Sequence, residues 1–183
     1  MRLHYVSREA YRKKNDAEFI QQLNNQFGDF YLIPEGGTND LAVKGVIEFA
    51  QTLGNDFDYV CCAVGTGGTL AGLISGLNPS VEILGFPVLK GGEFLKDEVE
   101  KLIGNHYSNW KLNTEYHFGG YGKSTIALCE FIKERMVKNN LPLDSVYTSK
   151  LVAGVYNLAE KGYFTKGATI LMVHSGGLQI SKP

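Results

Sequence analysis

The run Val64-Gly65-Thr66-Gly67-Gly68-Thr69 joins an apolar segment to a helix-forming one and concentrates anion-binding chemistry. Glycines let a backbone approach an anion and turn its N–H groups toward it, and a helix N-terminus behind them adds a favourable dipole. Thr66 and Thr69 add hydroxyl donors. A dinucleotide fingerprint would need glycine where Leu70 stands, and a Walker loop would need Gly-Lys-Ser/Thr closing this run, which is missing there. What remains is a cradle for a single phosphate group, or else a glycine-rich turn that packs a helix on a strand. Three further loops carry similar signals: Pro34-Glu35-Gly36-Gly37-Thr38-Asn39, Gly119-Gly120-Tyr121-Gly122 and His174-Ser175-Gly176-Gly177. In the first, Pro and paired Gly fix an unusual backbone path and Thr38 or Asn39 could cap the next helix, so by itself it reads as a structural turn. In the second, a tyrosine flanked by glycines suits a ligand-facing position or a rim aromatic. Four such loops could converge on one cleft.

The elements that must position these loops follow from the spacing of apolar residues. Helices are predicted over Asp16 to Phe27, Leu41 to Leu53, Thr69 to Leu77, Gly91 to Leu102, Ser124 to Asn139 and Thr148 to Lys161. Strands are predicted at Phe30 to Ile33, Asp58 to Val64, Val81 to Phe86 and Ala168 to Val173, while Arg2 to Val6 reads as the end of another. Asn105 to Phe118 reads as irregular, with room for a short strand at its end. Continuous apolar strands alternating with helices mean an α/β fold, a mostly parallel open sheet with helices on both faces. Ligands of such sheets bind outside the carboxyl ends of the strands, where the loop at Gly65 must lie.

Composition narrows the function classes. The chain of 183 residues is 44% hydrophobic and 20% charged, which fits one globular α/β domain over 1–183. A net charge of -1 with dispersed Lys and Arg gives no stripe for nucleic acid. No apolar run approaches the roughly 20 residues of a transmembrane helix, and the N-terminus lacks a secretory h-region. Cys61 and Cys62 are neighbours on a strand and so face opposite ways, which fits buried thiols in a reducing cytoplasm. The four histidines are scattered, and no metal-ligand spacing occurs.

Together, the Gly65 loop, the Pro34-to-Asn39 loop, the Gly120-Tyr121-Gly122 loop, Tyr147-Thr148-Ser149-Lys150 and His174-to-Gly177 resemble one branch of the fold-type II pyridoxal-phosphate enzymes. That branch is the D-cysteine desulfhydrase and 1-aminocyclopropane-1-carboxylate deaminase family. The likeness runs from Ser7 to Leu178 and implies the C-terminal portion of such an enzyme. Family members carry, in an N-terminal stretch, the lysine that holds the cofactor's aldehyde and a Ser-Asn-His segment that contacts the substrate carboxylate; neither has a counterpart here. Lys150 and Lys123 lack that lysine's context and are expected to be structural or surface residues. Apolar surface is expected to stay uncovered as a result.

The resemblance implies pyridoxal 5'-phosphate as cofactor, a small amino acid as substrate and a homo-oligomer. Carried over by position, Gly65, Thr66, Gly67, Gly68 and Thr69 would hold the phosphate. Tyr121 and Tyr147 would flank the substrate and the cofactor face, for proton transfer or for orienting the leaving group. Thr148 and Ser175 would lie near the pyridine nitrogen. The deaminase branch has a glutamate and a leucine at these two positions, whereas the desulfhydrase branch has small hydroxyl residues. A hydroxyl supports a weaker electron sink than a carboxylate, sufficient for β-elimination of a good leaving group. The resemblance therefore points to desulfhydration in the intact enzyme, or to a non-catalytic relative that at most binds the cofactor phosphate.

Overall fold

The structure, a computed structural model, describes residues 2–54, 56–104 and 106–178. The chain divides into two compact units, 1–33 and 34–183. In the first, α1 (Arg8–Arg12) begins at Ser7, whose hydroxyl accepts from the Ala10 N–H at 3.1 Å, and α2 (Ala17–Phe27) ends at Gly28. Neither helix buries a residue. The strands expected at Arg2 to Val6 and Phe30 to Ile33 are absent. Both segments carry the right residue types, but a strand exists only through a ladder partner, and neither pairs with any strand among the described residues. Tyr5, Tyr31 and Ile33 are exposed accordingly.

The second unit holds the α/β body. After a single 3₁₀ turn (Glu35–Gly37) come α3 (Asp40–Gln51), β1 (Tyr59–Val64), α4 (Gly68–Gly76), β2 (Glu82–Pro87) and α5 (Leu95–Ile103). Then follow β3 (Trp110–Leu112), α6 (Ile126–Asn139), α7 (Thr148–Glu160) and β4 (Ile170–Val173). The sheet order is β3-β2-β1-β4 with every pair parallel, Cys61 standing beside Leu84 on one side and Met172 on the other. β3 lies in the middle of the segment that reads as irregular in sequence, and its three residues are too few to show a period. Asn105, the first residue of that segment, is outside the described residues.

Each face of the sheet has its own core. Val60, Cys62 and Val64 pack with α3, α4 and α5, whereas Cys61, Leu84 and Phe86 pack with Leu151, Val155 and Leu158 of α7. The adjacent cysteines thus serve opposite layers, and burial pushes both thiols well up, Cys62 to about 12. α4 approaches α3 closely because it lacks side chains where they meet. A Cβ on Gly72 would overlap the Val46 side chain. Two parallel strands, β1 and β4, deliver their carboxyl ends and the following loops to one edge of the sheet, and the site is built there.

Candidate active site

β1 ends at Val64, and the chain turns through Gly65 and Thr66 into Gly67, whose φ of 94° demands glycine. The first N–H groups of a helix have no intrahelical partner, and Gly67 brings no capping side chain to α4. Those groups therefore remain available to a ligand. Gly68 is buried, and a Cβ on it would meet the Thr38 Oγ1 at 2.7 Å. The Thr38 and Thr66 hydroxyls are 2.6 Å apart, so the Pro34-to-Asn39 loop is braced against the glycine loop. Asn39 rather than Thr38 caps α3, its side chain accepting from the Ala42 N–H at 2.8 Å. A cleft of about 250 Å³ opens here, lined by Gly36 to Thr38, Gly65 to Thr69, Tyr147 and Ser175, with no carboxylate among the described residues that line it.

Tyr147 forms the far wall, with Tyr121 against it. Tyr147 precedes α7 and lies against Gly65, where an added Cβ would be 3.2 Å from its ring. Its hydroxyl donates to that of Tyr121 at 3.4 Å, and the rings meet edge to face with centroids 5.9 Å apart. Burial, and then this donated bond, hold the Tyr147 phenol well above its usual range, so it keeps its proton. Tyr121 is 60% exposed at the rim.

Behind this wall is a polar cluster. Asp144 is fully buried, and its Oδ1 accepts from the N–H groups of Val146 (2.8 Å) and Tyr147 (2.7 Å). Its Oδ2 accepts from the Thr148 N–H (2.8 Å) and hydroxyl (2.5 Å). Burial opposes the charged form of Asp144, but these bonds outweigh it and hold its carboxyl below the usual range. Thr148 is buried, its hydroxyl also accepting from the Asp144 N–H at 2.9 Å, while Ser175 lines the cleft. Lys150 is buried too. Its Nζ donates to the carbonyls of Gly120 at 2.7 Å and Val88 at 3.3 Å, tying the Tyr121 loop to the end of β2. Desolvation lowers its pKa, with Asp144 opposing. Lys123 is exposed.

The family model described as pyridoxal-phosphate dependent enzyme matches residues 2–176. The chain belongs to this family. A Pyrococcus furiosus protein provisionally named 1-aminocyclopropane-1-carboxylate deaminase is 34% identical over 95% of this chain and 58% of its own length. The Arabidopsis thaliana mitochondrial bifunctional D-cysteine desulfhydrase/1-aminocyclopropane-1-carboxylate deaminase is 27% identical over 96% of this chain and 49% of its own. A crystal structure of an aminocyclopropane-carboxylate deaminase homologue superposes with a TM-score of 0.73 at 30% identity, covering 97% of this chain and 58% of that one. A threonine deaminase from Solanum lycopersicum shares the fold, with a TM-score of 0.57 at 15% identity. The chain spans about half to three-fifths of the length of these relatives.

The family's cofactor is pyridoxal phosphate, and the cleft suits its phosphate. The cradle is close-packed, since a Cβ at Gly68 would meet Thr38, it is aimed by a helix N-terminus with no acidic residue in its first turn, and hydroxyls border it. Tyr147, Thr66 and Ser175 meet there directly, Tyr121 joins through Tyr147, and Thr148 stands behind Tyr147. Asp144 is the residue that sequence reasoning missed. Its signal was an acidic residue four positions ahead of a helix that opens on threonine, the place for a side chain that accepts from free N–H groups.

Proposed function

We propose that this cleft holds pyridoxal phosphate by its phosphate, as part of a lyase acting on a small amino acid. The preferred reaction is β-elimination of the D-cysteine desulfhydrase type, releasing sulfide, pyruvate and ammonia. Aminocyclopropane-carboxylate deamination is the related alternative. The observation that carries the reading is the cradle at Gly65 to Thr69, where backbone donors face a cleft free of lining carboxylates. When bound, the cofactor supplies an electron sink for charge developing at a substrate's α-carbon. Gly67 and Gly68 admit the phosphate to the N-terminus of α4, and Thr66 and Thr69 orient it. Tyr147, held as a phenol, can give a proton on the side of the leaving group, with Tyr121 next to it at the rim. The small hydroxyls of Thr148 and Ser175 favour the desulfhydrase branch over the deaminase branch.

A second reading, a cofactor holder without turnover within these 183 residues, is supported by a different observation. No lysine is among the described residues lining the cleft, and Lys150 spends its ammonium on two carbonyls. Without a lysine to hold the aldehyde and move the α-proton, the rate falls by orders of magnitude. The test is binding of pyridoxal phosphate with and without inorganic phosphate as competitor, in the chain and in Gly68→Ala. Borohydride reduction with mass spectrometry, and sulfide release from D-cysteine, are read in parallel. Saturable binding, weakened roughly tenfold or more by the added methyl group, supports the cradle; equal binding by both chains sinks it. Turnover above free cofactor, with a single lysine adduct, would remove the second reading.

A further inference from the structure

We infer that Lys150 is a positioning residue for Tyr121: its buried ammonium fixes the turn that carries this tyrosine against Tyr147. The inference rests on the proposed role of the two tyrosines beside the cleft. Three of the four residues from Gly119 to Gly122 are glycines, with φ of 96°, 109° and 66°. Glycine gives up more conformational freedom than any other residue when it is fixed, so this stretch does not hold its own path. Gly120 is buried next to the exposed Tyr121, and its carbonyl accepts from the Lys123 N–H at 3.1 Å, closing a turn with Tyr121 inside it. A carbonyl oxygen has two lone pairs. The second is taken by the Lys150 ammonium at 2.7 Å. The direction of that carbonyl, and with it the direction in which Tyr121 leaves the turn, is therefore set from inside the protein.

The ammonium stands at a junction. It also donates to the Val88 carbonyl at 3.3 Å, and the Val88 N–H donates in turn to the carbonyl of Val64, the last residue of β1 before the glycine loop. Gly120 packs at the same place, since a Cβ on it would stand 3.4 Å from the Lys90 backbone nitrogen and Cβ. Lys150 follows Tyr147 by three residues, a spacing that puts two side chains on one face of a helix. Tyr147 reaches the exposed side of the turn through the Tyr121 hydroxyl, and Lys150 reaches its buried side through Gly120. One helix start thus grips the tyrosine turn twice. A bond from an ammonium is about twice as strong as a neutral one, whereas the bond between the two phenols is long at 3.4 Å. The buried grip is the stronger, and Tyr121 follows it.

The test reads the two phenols directly, without cofactor. Tyrosine isotope-labelled at the ring carbon that bears the hydroxyl gives one carbon signal per residue, assigned with Tyr121→Phe and Tyr147→Phe. The expected result is that Lys150→Met moves the Tyr121 signal to that of an unbonded phenol and moves the Tyr147 signal as Tyr121→Phe does. Gly72→Ala, which disturbs the contact of α3 with α4 and touches none of these bonds, should lower the melting temperature and move neither signal. A lysine that merely holds the fold together would behave like that control. If Lys150→Met fails to fold, Tyr121→Ala decides, because coupling between two grips is reciprocal. Loss of the exposed ring should then speed hydrogen exchange at the Lys150 ammonium roughly fivefold or more. Unmoved tyrosine signals in folded Lys150→Met, or unchanged exchange in Tyr121→Ala, overturn the inference. Binding of pyridoxal phosphate to the parent chain is measured separately. A chain that binds none sinks the proposed function, while the tyrosine signals still decide what Lys150 does.

Discussion

The glycine loop and the segment behind Tyr147 are held by different physics. At the glycine loop, position is set by the lack of side chains. Gly67, Gly68 and Gly72 let α4 and its leading turn come within contact of Val99, Thr38 and Val46, and a Cβ at any of them would stand 2.9 Å or less from a neighbour. In the segment behind Tyr147, position is set by charge. Asp144, Thr148, Ser149 and Lys150 are all buried, and the segment is fixed by directed bonds to a carboxylate and from an ammonium. The first end should tolerate changes of pH and reject added atoms. The second should tolerate modest changes of shape and reject changes of charge.

The largest effect is expected from breaking the charged end. Asp144→Ala leaves three N–H groups and the Thr148 hydroxyl without their acceptor. Unsatisfied buried donors are costly, so a loss of about 3 kcal/mol is expected in denaturant unfolding. Asp144→Asn keeps an acceptor oxygen and should lose about 1 kcal/mol. If the two variants unfold alike, charge is not what holds this end.

The glycine end is sharpened by a pair of alanines on facing helices. Gly72→Ala forces a methyl group against Val46 and should cost about 2 kcal/mol. Gly45→Ala, on α3 with nothing within 4 Å of the new Cβ, should instead stabilise by roughly 0.5–1 kcal/mol through the unfolded chain. Thermal melts of the two variants should move in opposite directions. A shift of the same sign in both would mean that the close approach of α3 and α4 is not steric in origin.

The difference between the two ends also explains what the sequence made legible. Glycine spacing after an apolar strand announces a close backbone approach, so residue types alone place the loop at Gly65 on the carboxyl edge of β1. β1, β2 and β4 were equally legible, because strands buried on both faces are uninterrupted apolar runs. Phe30 to Ile33 has that same local pattern without a partner strand, and pairing is not a local property. The partners of Asp144 and Lys150 were not legible, for a related reason. Each is an ordinary charged residue in sequence, and only the folded packing removes it from water and supplies its partners. Lys150 was expected to be a structural or surface residue, but nothing local named Gly120 and Val88 as its acceptors.

The smallest effect should be the pH dependence that Asp144 adds to stability. Its carboxyl titrates lower in the folded chain than the ordinary aspartate near 3.9. A group whose folded pKa is depressed contributes stability that is fully present above its unfolded pKa and is lost as pH falls through the folded value. Unfolding free energy should therefore be flat with respect to this group at neutral pH and fall only in the acid range, below the ordinary aspartate pKa. Burial weakens the effect and the four donated bonds create it, so removing donors should shrink it. Thr148→Val deletes one of these four bonds, along with the one its hydroxyl accepts from the Asp144 N–H, and should move the acid limb of the stability curve toward that of Asp144→Asn, in which the group is absent. Gly72→Ala, which changes no charge, should shift the whole curve downward without changing its shape. Acid limbs of equal slope in the parent chain and Asp144→Asn would show that the segment behind Tyr147, like the glycine loop, is held by packing alone.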